Sequence, residues 1–209
     1  MKQTFFKYDL KTQLNNDNFF VSSSNFNAYK ILIDQNFSKN ILLYGPDKSG
    51  KTHLGFIWKE NNSALLYNNN FTDLLNNKKN VFIDNLFDNL NEEEIFHIIN
   101  HCKNNNLKLL ITSNKKLNNY KFLLKDLSSR LKIFDIASID LPDDKLLMNL
   151  MIKLLNDKQI IIKNTDIFHY ILKRVHRSYE KVFLLIENID KLSLEKKRQL
   201  TIPLIKDLI

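Results

Sequence analysis

Short apolar runs alternate with amphipathic patterns through the first two thirds of the chain. The apolar runs predict strands at 41–44, 64–67, 80–84, 107–112 and 132–136. The patterns between them predict helices at 51–59, 71–77, 92–104 and 121–130. This alternation is typical of an α/β fold in which crossover helices flank a parallel sheet. A ligand of such a sheet binds beyond the carboxyl ends of its strands.

The strand pattern disappears after residue 142, and only helical periodicity remains. Leucine and methionine recur at helical spacing over 146–155, which indicates the core of a small helical domain. Thr165, Ser178 and Ser193 are predicted N-caps of further helices. We therefore predict three parts, namely a flexible polar arm at 1–18, an α/β domain at 19–141 and an all-helical domain at 142–209.

The charge balance is basic, with 31 lysines and arginines against 23 acidic residues and a formal net charge of +8. Because the excess lysine is spread among asparagines and isoleucines, we favour a generally basic, solvated surface over a dedicated DNA-binding surface. The single cysteine, Cys102, excludes a disulfide framework and favours a buried, inert thiol in a reducing compartment. No apolar run approaches the roughly 18 residues that a membrane span needs, so we expect a cytoplasmic protein.

Two of the three glycines fall in the octapeptide GPDKSGKT at residues 45–52. It matches the phosphate-binding loop G-x-x-x-x-G-K-[ST], whose lysine reaches the β and γ oxygens and whose threonine ligates Mg²⁺. A predicted strand precedes this loop and a predicted helix follows it. We therefore favour a nucleotide site over a chance match in a glycine turn. The predicted nucleotide-binding residues of the loop are Gly45, Pro46, Ser49, Gly50, Lys51, Thr52 and His53.

The run VFID at residues 81–84 predicts a Walker B strand, which ends in a carboxylate that binds Mg²⁺. A strand-ending aspartate alone is common, but this one follows a phosphate loop. Asp84 and Thr52 are therefore the predicted Mg²⁺ ligands. Efficient P-loop ATPases commonly carry a second acid that polarises the attacking water, and here Asn85 stands at that position. Since an amide cannot accept the proton, we expect this chain alone to hydrolyse ATP slowly.

Two more polar residues are candidates for catalytic roles. Asn114 follows the predicted strand 107–112 and would lie near a γ-phosphate, although a simple turn at Ser113 and Asn114 explains the pattern nearly as well. Arg130 ends the predicted helix 121–130. It either interacts with the helix dipole or projects as a finger into the nucleotide of a neighbouring protein. The five histidines show no convergent ligand pattern, so we expect no metal site besides Mg²⁺.

The ordered set of motifs resembles the DnaA family of AAA+ proteins, and in particular its short Hda-type inactivators. The segment DNFFVSSSN at 17–25 is similar to the family segment that lies against adenine, which implies a contact from Val21. The Asp-Asn pair at 84–85 and the box DLSSRL at 126–131 follow the inactivator pattern. The ending RQLTIPLIK at 198–206 resembles the ending of those proteins too.

This resemblance implies an AAA+ fold with a helical lid that binds ADP or ATP with Mg²⁺. Lys181 stands where the family lid offers a sensor arginine, and it keeps the charge without the bidentate geometry. The resemblance also implies catalysis shared between chains. Arg130 would act in trans on ATP held by the initiator DnaA, with Asp84 and Asn114 beside the nucleotide. The implied role is negative regulation of replication initiation.

The resemblance further implies binding to the replication sliding clamp through an N-terminal motif. Gln3, Phe5 and Phe6 are the candidate residues, and Thr4 stands where the family motif carries leucine. The chain length corresponds to family members without a helix-turn-helix domain, so we expect no sequence-specific DNA binding. The alternative function is an autonomous AAA+ ATPase of the helicase-loader type that acts on DNA, and Asn85 argues against it.

Overall fold

The computed structural model describes residues 18–34, 39–88, 91–160, 162, 164–196, 201–206 and 208. The predicted arm at 1–18, with Gln3, Phe5 and Phe6, lies outside the described residues except for Asn18. The α/β part contains α1 (Phe26–Ile33), β1 (Asn40–Tyr44), α2 (Lys51–Asn61), β2 (Leu65–Leu66), α3 (Phe71–Asn76), β3 (Val81–Ile83), α4 (Glu92–Asn104), β4 (Leu109–Ser113), a 3₁₀ turn (Leu117–Asn119), α5 (Lys125–Leu131) and β5 (Asp135–Ser138). The helical part contains α6 (Asp144–Asp157), α7 (Asp166–Leu172), α8 (Tyr179–Lys196) and α9 (Ile202–Lys206).

The five strands form one parallel sheet in the order β2-β3-β4-β1-β5. The central strand β1 pairs with β4 on one side and with β5 on the other, so Leu42 faces Ile111 and Ile136. This confirms the predicted parallel sheet with flanking helices. The strand order brings the carboxyl ends of β3, β4 and β1 next to one another. Residues that follow these three strands therefore meet at one edge of the sheet.

Both faces of the sheet are covered, and the helical part has a core of its own. Ile41 and Leu43 of β1 pack in the cluster that contains residues of α1 and α2. Leu42, between them, packs in the cluster that contains residues of α4 and α5. A third cluster joins α6, α7, α8 and α9. Burial on both faces explains why the strands read as continuous apolar runs rather than as alternating patterns.

Helix α2 approaches β3 so closely that Gly55 lies against the ring of Phe82, which is fully buried. A Cβ at position 55 would overlap the ring carbons. We expect Gly55→Ala to lower the free energy of unfolding by about 2 kcal/mol, because overpacking outweighs the better helix propensity of alanine. Chemical denaturation measures the change, with Lys59→Ala on the same helix as the control. Unchanged or increased stability of Gly55→Ala would contradict this account of the packing.

Helix α5 begins later than its pattern predicts. The sequence pattern predicts a helix over 121–130, whereas the helix spans Lys125–Leu131. The Glu92 carboxylate accepts the backbone N–H groups of Leu123 and Leu124 at 3.1 and 2.7 Å. Leu124 therefore stays extended against α4, and α5 starts only after it.

Strand β5 begins later in the chain than its sequence pattern predicts. The sequence pattern predicts a strand over 132–136, but the backbone N–H of Phe134 still donates to the carbonyl of Leu131 at the end of α5. This turn delays the strand, which spans Asp135–Ser138. Ile133 and Ile136 supply part of the predicted apolar pattern, yet both are exposed.

Of the predicted N-caps in the helical part, Ser178 caps a helix and Ser193 does not. Ser178 accepts the backbone N–H of Lys181 on its hydroxyl at 3.2 Å, at the predicted start of α8. Ser193 does not begin a helix, because α8 continues through it to Lys196. Thr165 precedes α7 without a side-chain capping bond.

None of the helices in the described ranges combines the length and the apolar character needed to cross a membrane.

Cys102 lies on α4 and is fully buried, as expected. Burial raises the pKa of its thiol to about 12, because an apolar environment disfavours the thiolate. The thiol therefore stays protonated at neutral pH and is poorly reactive.

Candidate nucleotide-binding site

The loop between β1 and α2 has the backbone geometry of a phosphate cradle. Gly50 adopts a positive φ of 91°, and Lys48 adopts one of 62°. A side chain at Gly45 would lie 2.9 Å from Ser49 Oγ and 3.0 Å from Ile139. Both glycines of the motif therefore have a steric reason to be glycine. Since the loop runs directly into α2, it presents that helix's N-terminus toward any bound anion.

Lys51 points back into the loop and is only 8% exposed. Its ammonium donates to the carbonyl oxygens of Gly45 and Pro46 at 2.9 and 2.7 Å. Burial lowers the pKa of this ammonium from its ordinary value, and the negative charges of Asp47 and Asp84 oppose that shift. The cation is thus held inside the loop, where a phosphate chain would meet it.

Ser49 supports the assignment of this loop as a phosphate site. Its hydroxyl oxygen is buried and has no hydrogen-bond partner within the described residues. A buried hydroxyl without a partner costs free energy, and a phosphate oxygen is an acceptor that would satisfy it. The residues present therefore fit a nucleotide phosphate.

Asp84, at the end of β3, is held by two threonine hydroxyls. Thr52 Oγ1 donates to Asp84 Oδ2 at 2.9 Å, and Thr112 Oγ1 donates to Asp84 Oδ1 at 2.6 Å. Thr112 also accepts the backbone N–H of Asn85 at 2.6 Å. A carboxylate beside the hydroxyl of Thr52 is the oxygen donor set that Mg²⁺ prefers. The predicted Mg²⁺ ligands are thus in contact with each other.

Thr112 has no role in the predictions from sequence, yet it is fully buried and orients Asp84. We expect Thr112→Val to weaken Mg²⁺-dependent nucleotide binding about tenfold, because a hydrogen bond to a charged group is lost. Thr112→Ser keeps the hydroxyl and should bind like wild type. Titration calorimetry with ADP, with and without Mg²⁺, separates this effect from a general loss of binding. Equal losses in the two conditions would contradict a role through Asp84.

Asn85 and Asn114 follow the neighbouring strands β3 and β4, and Asn114 contacts the loop. Asn85 has a positive φ of 56°, and its side-chain oxygen is buried without a partner among the described residues. Asn114 Nδ2 donates to Asp47 Oδ1 of the loop at 3.0 Å. Ser113 forms the local turn, since its hydroxyl accepts the backbone N–H of Lys115 at 3.1 Å. Ser113 therefore forms a turn, as one alternative predicted, and Asn114 also contacts the phosphate loop.

A cavity of about 610 Å³ opens beside the loop, between residues 18–25, which we call the entry segment, and helix α6. Phe19 lines it, stacks on Tyr29 at 5.9 Å and meets His53 edge-on at 5.3 Å between ring centroids. Asn149, Lys153 and Asp157 line it from α6, and Lys153 Nζ donates to the carbonyl oxygen of Asn18 at 2.9 Å. This volume and this mixture of aromatic and polar groups are typical of a small-molecule site.

Two predicted contacts lie outside this cavity. Val21 is half-buried but does not line it, and Lys181 is exposed in the first turn of α8. The polar residues of α6 that line the cavity, and that were not predicted from the sequence, are Asn149, Lys153 and Asp157. Their spacing of four residues places them on one face of α6, beside the leucine stripe. This polar face is the sequence pattern that could have indicated that α6 lines a site.

The entry segment and the lid are joined at the start of α6. Asp143 caps α6 by accepting the backbone N–H of Leu146 at 2.6 Å, and it accepts the Ser23 hydroxyl at 2.8 Å. Burial tends to raise the pKa of Asp143, but these hydrogen bonds outweigh it, and the pKa is lowered. Asn25 is buried and ties the segment internally through the backbone of Ser22.

Arg130 lies in the last turn of α5, away from this cavity. Its guanidinium carbon lies 4.7 Å from the ring centroid of Phe96 on α4, and the residue is half-buried. Within the described residues it forms no ion pair. Leu123 and Ile133, which flank α5 in the sequence, are 89% and 81% exposed.

The histidines that are four residues apart on α4 have structural contacts. His97 meets the rings of Phe71 and Phe96 at 6.0 and 5.7 Å. His101 Nε2 contacts the carbonyl oxygen of Asn77 at 3.2 Å. Among the described residues, no group of three or more His, Cys, Asp or Glu side chains forms a metal cluster.

Comparison with known proteins supports the fold described above. Residues 151–209 match the family "Hda, lid domain". The chain superimposes on domain III of the replication initiation protein DnaA from Thermotoga maritima with a TM-score of 0.75, which covers 97% of this chain and 98% of that one at 17% identity. The chain has the DnaA-type AAA+ fold. This confirms the predicted fold class, with its parallel sheet and helical lid.

Other known proteins are also similar to this chain. AMPPCP-bound DnaA from Aquifex aeolicus aligns with a TM-score of 0.68 and 18% identity over 91% of this chain and 70% of that one. The RuvB Holliday junction branch migration motor of Thermotoga maritima aligns with a TM-score of 0.60 and 17% identity over 81% of this chain and 60% of that one. The chromosomal replication initiator DnaA of Buchnera aphidicola (subsp. Cinara cedri, strain Cc) is 24% identical over 92% of this chain. The chain spans about half, 51%, of the length of that relative.

Proposed function

We propose that this chain is an adenine-nucleotide-binding regulator of replication initiation, which stimulates ATP hydrolysis by DnaA in association with the sliding clamp. ADP or ATP would lie in the cavity beside the phosphate loop, with Lys51 on its phosphates. Thr52 and Asp84 would hold Mg²⁺, which supplies charge neutralisation at the phosphates when it is bound. The DnaA of Aquifex aeolicus with a bound ATP analogue supports adenine as the base.

The observation that carries the proposal is the position of Arg130. It does not line the chain's own nucleotide cavity, and it has no ion pair in the described part of the chain. A half-exposed guanidinium on a phenylalanine ring is available to a second protein. An arginine supplied in trans stabilises the charge that develops on the transferred phosphoryl group. The exposed Leu123 and Ile133 nearby would supply apolar contact with that protein.

Asn85 supports an activator rather than a self-sufficient ATPase. Its backbone N–H is bonded to Thr112, and its amide cannot act as a general base.

The experiment that tests the proposal measures phosphate release from DnaA-bound ATP, with and without this chain and the clamp of the same organism. We expect release to accelerate only when all three are present. ATP turnover by the chain alone would instead favour the helicase-loader type of ATPase.

The N-terminal motif is proposed as the clamp tether. We expect Gln3→Ala and Phe6→Ala each to reduce capture of the chain by immobilised sliding clamp at least tenfold, since anchor residues dominate such interfaces. Lys11→Ala in the same segment is the control and should be captured like wild type. Failure of the wild-type chain to bind the clamp would remove this half of the proposal and leave the role of Arg130 to be tested separately.

A further inference from the structure

The helical lid contains a second cavity, of about 1100 Å³, between the start of α6 and the segment that joins α7 to α8. None of the described residues lines both this cavity and the nucleotide cavity. Lys145 contributes from α6, and the segment 172–177 contributes from the other side. The proposed function assigns no role to this cavity.

Positive charge dominates the lining. Among the described residues that line it, the one carboxylate is that of Asp144. Arg177 Nε and NH2 donate to its two oxygens at 2.6 and 2.9 Å. Hydrogen bonding to Arg177 lowers the pKa of Asp144, so the pair stays charged and neutralises itself. Lys145, Lys173 and Arg174 remain, and within the described residues none of them forms an ion pair.

Arg174 is held in place while part of its donor set stays available. Its guanidinium carbon lies 3.8 Å from the ring centroid of Tyr170, and NH1 donates to the Tyr170 carbonyl at 3.4 Å. A stacked guanidinium keeps its other N–H groups for a planar or tetrahedral anion. Leu172 and Val175 add apolar wall to the same cavity. Cations along low-dielectric walls focus the field on the space between them.

We propose that this lid cavity binds the phosphodiester backbone of nucleic acid without reading its sequence. Nucleic acid carries one negative charge at every nucleotide, and these three cations, spread around a wide cavity, suit several phosphates rather than one. An anionic membrane is less suitable, because stable attachment needs an apolar insertion as well as charge. The large apolar side chains that are exposed in the described residues all lie outside this cavity.

Fluorescence anisotropy with labelled oligothymidylate of about 20 nucleotides, and with a duplex of equal length, tests the proposal. The variant is Lys145→Gln/Lys173→Gln/Arg174→Gln. The matched control is Lys78→Gln/Lys79→Gln/Lys103→Gln, which removes the same charge from exposed positions in the α/β part. The two oligonucleotides show whether the cavity prefers single strands or duplexes.

We expect the cavity variant to lose roughly 10- to 100-fold in affinity, with a single-strand salt slope smaller by about 2, because three phosphate contacts are lost. The control should stay within about threefold of wild type. Lys173→Glu alone is a second variant and should also weaken binding. Thermal unfolding verifies that each variant is folded.

Three outcomes would overturn the proposal. The first is equal loss in the cavity variant and the control, which would assign binding to net charge alone. The second is no binding of either oligonucleotide by the wild-type chain. The third is binding to phosphatidylglycerol vesicles or to polyglutamate, but not to oligonucleotides, with the same loss in the cavity variant.

Discussion

Arg130→Ala is expected to reduce the stimulation of DnaA-bound ATP hydrolysis by about 10³-fold or more, to the level of DnaA alone, because a finger supplied in trans contributes on that order. The side chain is half-buried and forms no ion pair within the described residues. It rests on Phe96 at 4.7 Å and lies outside its own nucleotide cavity. Loss of the contact with Phe96 removes about 1 kcal/mol or less of stability, so the variant should fold and bind its nucleotide.

One further variant at Arg130 and one at Lys132 separate the role of the guanidinium from that of positive charge in general. Arg130→Lys keeps the positive charge but loses the planar donor pair, so we expect only a small part of the stimulation to remain. Lys132→Ala removes an exposed cation two positions away and should stimulate like wild type. Normal stimulation by a folded Arg130→Ala variant would contradict the role of this residue.

Lys51→Ala is expected to weaken binding of ADP by about 100-fold, because a buried ammonium that would contact the phosphates is lost. Lys51 is 8% exposed, and its two hydrogen bonds to the loop carbonyls hold it at the cradle. The same loss should remove the stabilisation of the fold by ADP, since a ligand that binds only the folded state raises its melting temperature.

Lys59→Ala is the matched control for this measurement. Lys59 lies at the other end of α2, where it pairs with Glu60 at 3.0 Å on the surface. We expect its ADP affinity to remain within about twofold of wild type, because exposed pairs contribute little. A folded Lys51→Ala chain that binds ADP as tightly as this control would show that the loop is not the phosphate site.

The sequence was most informative where local motif and tertiary structure agree. The glycines of the phosphate loop have a steric reason that the motif already implies, and β1 is buried on both faces, as its continuous apolar run predicts. The contact between Thr52 and Asp84 was likewise predictable, because parallel strands bring their carboxyl ends to one edge.

Features that depend on distant contacts could not be predicted from local patterns. Helix α5 starts late because Glu92, about thirty residues earlier in the chain, binds the N–H groups before it. Thr112 reads as an ordinary strand residue until β4 is placed beside β3. Helix α1 was not predicted, since only Ala28 and Leu32 of its residues are buried and give a short pattern. The roles of Val21 and Lys181 came from a resemblance, and the cavity is lined by other residues.

A single-turnover experiment shows directly whether the ATP held by DnaA or the ATP held by this chain is hydrolysed. DnaA is loaded with ATP labelled at the γ-phosphate, this chain is loaded separately with unlabelled ADP, and the two are mixed with the sliding clamp for a single turnover. If Arg130 acts in trans, labelled phosphate is released rapidly with the wild-type chain and at the rate of DnaA alone with Arg130→Ala. Rapid release from labelled ATP placed on this chain, in the absence of DnaA, would contradict that role of Arg130.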